Sequence, residues 1–188
     1  MTSPVQIALR LSALALLGVV LQAAAISQIE VFGVPADVTP LLVMAVGLLL
    51  GSVTGAAFGF AVGLLVDLAL LQTLGVSSLL LVSVGYGAGR LRELRDPAHG
   101  LIPMAVGAAA AATTIIGFAV LQFLLGIDVP FSLLLMRDVL LGIVLGTLLA
   151  LPVHALVRRT LLPMLPDDPR RRRRRAYTTG GLSPLSRS

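Results

Sequence analysis

Cysteine and tryptophan are missing from this chain, and aromatic residues make up only 4% of it. Without cysteine there is no disulfide framework, no thiol nucleophile and no thiolate zinc site. Histidine is nearly absent: His99 and His154 lie in different segments, with neither an H-x-x-x-H nor an H-E-x-x-H pattern, so no metal centre is expected. Charge is scarce as well, at 12% of residues against roughly 25% in a soluble domain. No Ser/His/Asp or Cys/His set can be assembled, and Asp67 and Asp138 lack a companion nucleophile or metal cluster, which disfavours an intramembrane enzyme. No cofactor is expected. Gly85-x-Gly87-x-Gly89 lacks the strand, the phosphate-facing helix start and the distal acid of a nucleotide fingerprint.

Apolar residues fill the space that these absences leave. They make up 57% of 188 residues, and the mean hydropathy is +1.00, which places the chain among all-α, multi-span membrane proteins. The pI of about 11.2 belongs to one end only. Residues 1–169 hold seven arginines against nine acids, a net −2, while the other seven of the fourteen arginines lie at or beyond Arg170.

The run from Pro40 to Leu71 organises the rest. It is about 32 residues long, against the roughly 20 that cross a bilayer once, so it must fold back or tilt strongly. Glycines at 47, 51, 55, 59 and 63 lay a flat stripe on a helix, with Asp67 close to the end of that stripe. The arginines settle the count. Arg10, the group Arg90, Arg92 and Arg95, and the pair Arg158 and Arg159 all belong in the cytoplasm by the positive-inside rule, so the crossings between Arg10 and Arg90 are even in number. Pro40–Leu71 therefore supplies two short helices, with the reversal near Gly51-Ser52.

Six spans follow, at about 5–29, 38–51, 54–72, 76–89, 101–125 and 131–157, with both termini inside. The first could also be a cleaved signal peptide ending near Ala23-Ala24-Ala25, but the apolar run continues past the alanines and favours a retained helix. The connection from Glu30 to Thr39, with Gly33, Pro35 and Asp37, is an outer turn. Asp128 suits an N-cap before Pro130 at the next one. Gly142 and Gly146 add a second small-residue face on the sixth span, and the ladder Gly47, Gly51, Gly55, Gly59 and Gly63 reads first as helix packing.

Three ionisable residues lie inside spans: Asp67, Arg137 and Asp138. Each costs about 2.5–3.5 kcal/mol at a helix centre unless partnered or wet. Counting about 1.5 Å per residue from the outer turns puts Asp67 about 12 Å deep and Arg137 about 13–14 Å deep, so the two are expected to pair across helices three and six. Asp138 points about 100° away from Arg137 and need not share its partner. His154 reads as an interfacial polar residue and His99 as a loop residue.

Prolines at 163, 166 and 169 end the last helix and open a basic tail, 163–188, behind a transmembrane domain over 1–162. Arg170, Arg171, Arg172, Arg173, Arg174 and Arg175 form a like-charge block expected to be disordered and to bind anionic lipid at about 1 kcal/mol per arginine, or else an acidic partner. Nucleic acid is disfavoured, since Tyr177 is the block's only aromatic neighbour.

Pro40-Leu41-Leu42, Gly55, the string Gly59-Phe60-x-x-Gly63-Leu64-Leu65-x-Asp67-Leu68, Leu74-Gly75 and Gly85-Tyr86 together resemble MreD, the rod-shape-determining membrane protein family of bacteria. The likeness runs over roughly 5–160 and leaves out the hexa-arginine tail. It implies a non-catalytic component of the elongation machinery in the bacterial cytoplasmic membrane. Such a protein would act with the single-span MreC, and through it with MreB filaments and with RodA and a class B penicillin-binding protein in peptidoglycan synthesis. Self-association is a further option. MreD-like proteins are also similar to the S components of energy-coupling-factor transporters, which implies an S-component-like bundle and, as the alternative function, transporter-like binding of a small molecule.

Overall fold

A computed structural model describes residues 4–24, 30–31, 34–35, 37–94, 101–126 and 133–161. It contains six helices, α1 (Pro4–Ala24), α2 (Thr39–Leu50), α3 (Ser52–Ala69), α4 (Val76–Leu94), α5 (Leu101–Leu124) and α6 (Leu133–Leu161). The bundle is helical, as expected, with one short addition. Between α1 and α2, strands β1 (Glu30–Val31) and β2 (Val34–Pro35) pair antiparallel, Glu30 opposite Pro35 and Val31 opposite Val34. Chain that leaves a helix and comes straight back can satisfy its backbone groups by pairing with itself.

The bundle is built around α2. Eleven of its twelve residues are buried, and it touches all five other helices. Pro40 in its first turn needs no intrahelical N–H partner. Its end is set by Gly51, whose φ of +101° is a backbone state that costs a side-chain-bearing residue strain. Ser52 then starts α3 at once, so the apolar run doubles back at Gly51.

The return brings backbone against backbone. A Cβ on Gly55 would sit 2.5 Å from the Gly85 carbonyl oxygen and 2.7 Å from the Gly47 Cα, and one on Gly47 would sit 2.5 Å from that same oxygen. Gly59 lies equally close to the Leu81 carbonyl, and Gly63 to the backbone of Ser78. Thus α2, α3 and α4 form a tight three-helix centre in which glycine permits the approach. On the other side of α2, Gly107 faces Ala150 and Gly146 faces Ala111, joining α5 to α6.

Helix limits differ from the expected spans at several ends: α1 is described only to Ala24, α3 already starts at Ser52, and α6 runs on to Leu161. The fourth helix runs past Gly89 to Leu94, because Arg90 and Glu93 remain on its helical track as an i, i+3 ion pair. The third ends at Ala69, where Leu70 and then Leu71, at φ +52°, turn the chain.

By length and composition three helices can cross a membrane alone, within Ser52–Ala69, Ile102–Leu124 and Val139–Leu161; Gln6–Gln22 and Thr39–Leu50 are shorter apolar helices. At about 1.5 Å per residue α2 is only about 18 Å long, whereas α5 is about 36 Å. The short helix is enclosed by the long ones. Two contacts fix which helix ends lie together. The Val38 N–H donates to Gln22 Oε1 at 3.1 Å, placing the start of α2 at the C-terminal end of α1. Arg10 Nη1 donates to the Thr160 carbonyl at 3.3 Å, placing the start of α1 beside the end of α6.

Candidate functional site

Asp67 occupies the last turn of α3 and has no exposed surface. Its Oδ2 accepts the Gly75 N–H at 2.6 Å and its Oδ1 accepts the Ser77 N–H at 3.3 Å, while the Gln72 N–H reaches its carbonyl at 3.0 Å. Gly75 and Ser77 flank Val76, the first residue of α4. The carboxylate therefore covers the open N–H groups at the start of α4, where the helix dipole also favours negative charge. One side chain both closes the α3–α4 turn and caps the next helix.

The expected pairing of Asp67 with Arg137 meets a different arrangement: Asp67 is fully enclosed and its oxygens accept backbone N–H groups, whereas Arg137 is exposed on α6. α3 sits chiefly against α4, α2 and α1, while α6 sits against α5 and α2. Backbone donors eight and ten residues ahead satisfy the acid. A sequence signal for this exists, an acid in a closing helical turn followed by Gly-x-Ser at the next helix start.

Asp138 lies on α6 with its side chain outside the described residues, as do His99, Asp128 and the tail with Arg170 to Arg175. Gly142 lies half-buried on α6. His154, also on α6, is partly buried, and its Nδ1 has no hydrogen-bond partner among the described residues.

Sequence reasoning did not find the contact at the opposite end of α3. Glu93 Oε1 accepts the Ser52 hydroxyl at 2.6 Å and the Ser52 N–H at 3.3 Å, while its Oε2 meets Arg90 at 3.3 Å. The Ser52 bonds, and to a lesser degree Arg90, hold the Glu93 carboxyl below its usual range. So α4 carries a clamp at each end: Asp67 of α3 covers its start, and Glu93 near its finish covers the start of α3.

Beyond the α3–α4 turn lies a cavity of about 190 Å³, whose polar lining comes from Gln22, Asp37, Thr39, Gln72, Ser77 and Thr114. Asp37 Oδ1 accepts the Thr39 N–H at 2.9 Å. The side chain opens to the cavity but is crowded by protein elsewhere. That crowding raises its pKa, and the Thr39 N–H and hydroxyl oppose the rise. Among the described residues no group of three His, Cys, Asp or Glu side chains could hold a metal ion.

The described residues hold an inter-helix clamp at each end of α4 and a polar recess beside the α3–α4 turn. Residues 5–160 match a family model described as rod shape-determining protein MreD. No curated protein and no solved structure matches the chain.

Proposed function

The chain belongs to the MreD family of rod shape-determining proteins, and from that premise we propose that it is a non-catalytic scaffold of the machinery that elongates rod-shaped bacteria. The observation that carries this reading is the extent of the match, which takes in all six helices. Its topology is six crossings of the cytoplasmic membrane with both termini in the cytoplasm. The Arg10–Thr160 contact supports that arrangement by holding the first and last helical ends together, with Arg158 and Arg159 in the same final turn of α6.

The scaffold holds a single-span partner such as MreC on its outer faces. The interior supports this division of labour: the glycine ladder is occupied by contacts among α2, α3 and α4, so a partner meets other surfaces. Leu9, Leu16, Leu17 and Val20 on α1 are exposed and suit lipid or a partner helix. Through MreC the protein acts on MreB filaments and on RodA with its class B penicillin-binding protein. The tail, 163–188, adds attraction to anionic lipid.

The test is extraction in mild detergent followed by identification of co-purifying chains, together with depletion in a rod-shaped host. A stoichiometric single-span partner and rounding of depleted cells are expected. Unchanged rods with no such partner retained would remove the reading.

A further inference from the structure

The start of α2 sits well inside the bundle, and that placement creates the recess. Thr114, which lines it, is the fourteenth of the 24 residues of α5, so the recess reaches about 15 Å down from the Leu124 end of that helix at about 1.5 Å per residue. Five separate segments contribute hydrogen-bonding groups: Gln22 from α1, Asp37 with Thr39, Gln72 from the turn, Ser77 from α4 and Thr114 from α5. Surface clefts rarely gather so many polar side chains beside an otherwise apolar bundle, where each unpaired one is costly.

The charges in the lining select the occupant. Among the described residues Asp37 is the one charged side chain in the lining, and the other polar ones are two amides and three hydroxyls. With no arginine or histidine among the described lining residues, an anion would face the Asp37 charge without a compensating cation. A divalent metal has no cluster of ligands among the described residues. A single positive charge, by contrast, would neutralise the Asp37 carboxylate at the mouth of the recess and would use the neighbouring oxygens as acceptors. Crowding raises the Asp37 pKa, as a site built to hold a counter-cation would show in its absence.

We infer that the recess lined by Asp37, Thr39, Gln22, Gln72, Ser77 and Thr114 is a binding site for a monovalent cationic group, a protonated amine of about six to eight non-hydrogen atoms or a hydrated alkali ion. Size sets the first limit, since a cavity of about 150 Å³ accommodates benzene and this one measures about 190 Å³. The site is independent of the scaffold role. It faces away from the Arg10 end, and nothing in it depends on which helix a partner covers.

The experiment uses the full chain in nanodiscs of zwitterionic lipid and follows its thermal unfolding midpoint. Three probes are titrated at neutral pH: protonated 5-amino-1-pentanol, the uncharged 1,5-pentanediol of the same size, and sodium chloride against choline chloride at matched ionic strength. A saturable rise with the amine or with sodium, absent with the diol, is expected, and the more effective probe identifies the source of the charge. Asp37→Asn keeps the hydrogen bond to Thr39 and should abolish the rise, and Thr114→Val should weaken the probe's affinity several-fold. A diol effect equal to the amine's, a rise that survives in Asp37→Asn, or no rise with either cation would overturn the assignment.

Discussion

The contact between Gly55 and Gly85 offers the sharpest test of how the bundle is held together. An alanine at 55 puts its Cβ 2.5 Å from the Gly85 carbonyl oxygen, 2.7 Å from the Gly47 Cα and 3.0 Å from the Gly85 carbonyl carbon. All three are backbone atoms, on two different helices, so no side chain can swing aside. Restoring ordinary contact at about 3.4 Å requires α4 to retreat by roughly 0.9 Å and α2 by roughly 0.7 Å. Overpacking of this kind costs about 1–3 kcal/mol, and a rigid backbone obstacle puts it at the upper end. The better helix propensity of alanine returns up to about 1 kcal/mol. A net loss of about 2 kcal/mol remains, roughly a 30-fold fall in the folded-to-unfolded ratio. Gly87 on α4 is the internal control, because a Cβ there meets nothing within 4 Å and Gly87→Ala should be neutral or stabilise by about 0.5–1 kcal/mol. Reversible unfolding in mixed micelles, driven by increasing denaturing detergent, reads both variants on one scale. If Gly55→Ala were as stable as the parent, or if both alanines had the same effect, close backbone contact would not be what joins α2, α3 and α4.

Other expectations concern the clamps and the layout. Asp67→Ala leaves the Gly75 and Ser77 N–H groups without their acceptor and should cost about 2–5 kcal/mol in the same unfolding assay. Glu93 has a lowered pKa, so its contribution is present above its unfolded value of 4.5 and fades as pH falls through the lower folded one; the stability gap between parent and Glu93→Gln should close on acidification. Asp37 has a raised pKa, so stability linked to its protonation is held at low pH and lost as pH rises through the folded value; Asp37→Asn should flatten that part of the stability profile. The chain has no cysteine of its own, so single cysteines report the layout directly. One at Val53, 79% exposed, should react with a membrane-impermeant reagent only from the cytoplasmic side, and one at Leu74, 62% exposed, only from outside; the reverse would invert the proposed orientation.

Several features were legible in the residues alone. Composition gives the class, since a chain with 57% hydrophobic residues and few charges has too little polar surface for a soluble domain. Helix number follows from the length of the apolar runs together with the spacing of the arginines, because both are properties of the chain against a slab of fixed thickness. Gly51-Ser52 stands out as a break because glycine tolerates the φ of +101° that the doubling-back requires.

Tertiary structure decided what each polar residue touches. Depth can be counted along a helix, but which helices are neighbours cannot: α3 packs chiefly on α4, α2 and α1, and α6 on α5 and α2. Asp67 answers to the start of α4, Glu93 to Ser52 on another helix 41 residues away, and the Asp37 recess exists only because α2 is short and enclosed. Linear spacing fixes a residue's height and its angle about its own helix axis; which neighbour meets it depends on how six helices pack at once, and that arrangement follows from where glycine lets backbones touch.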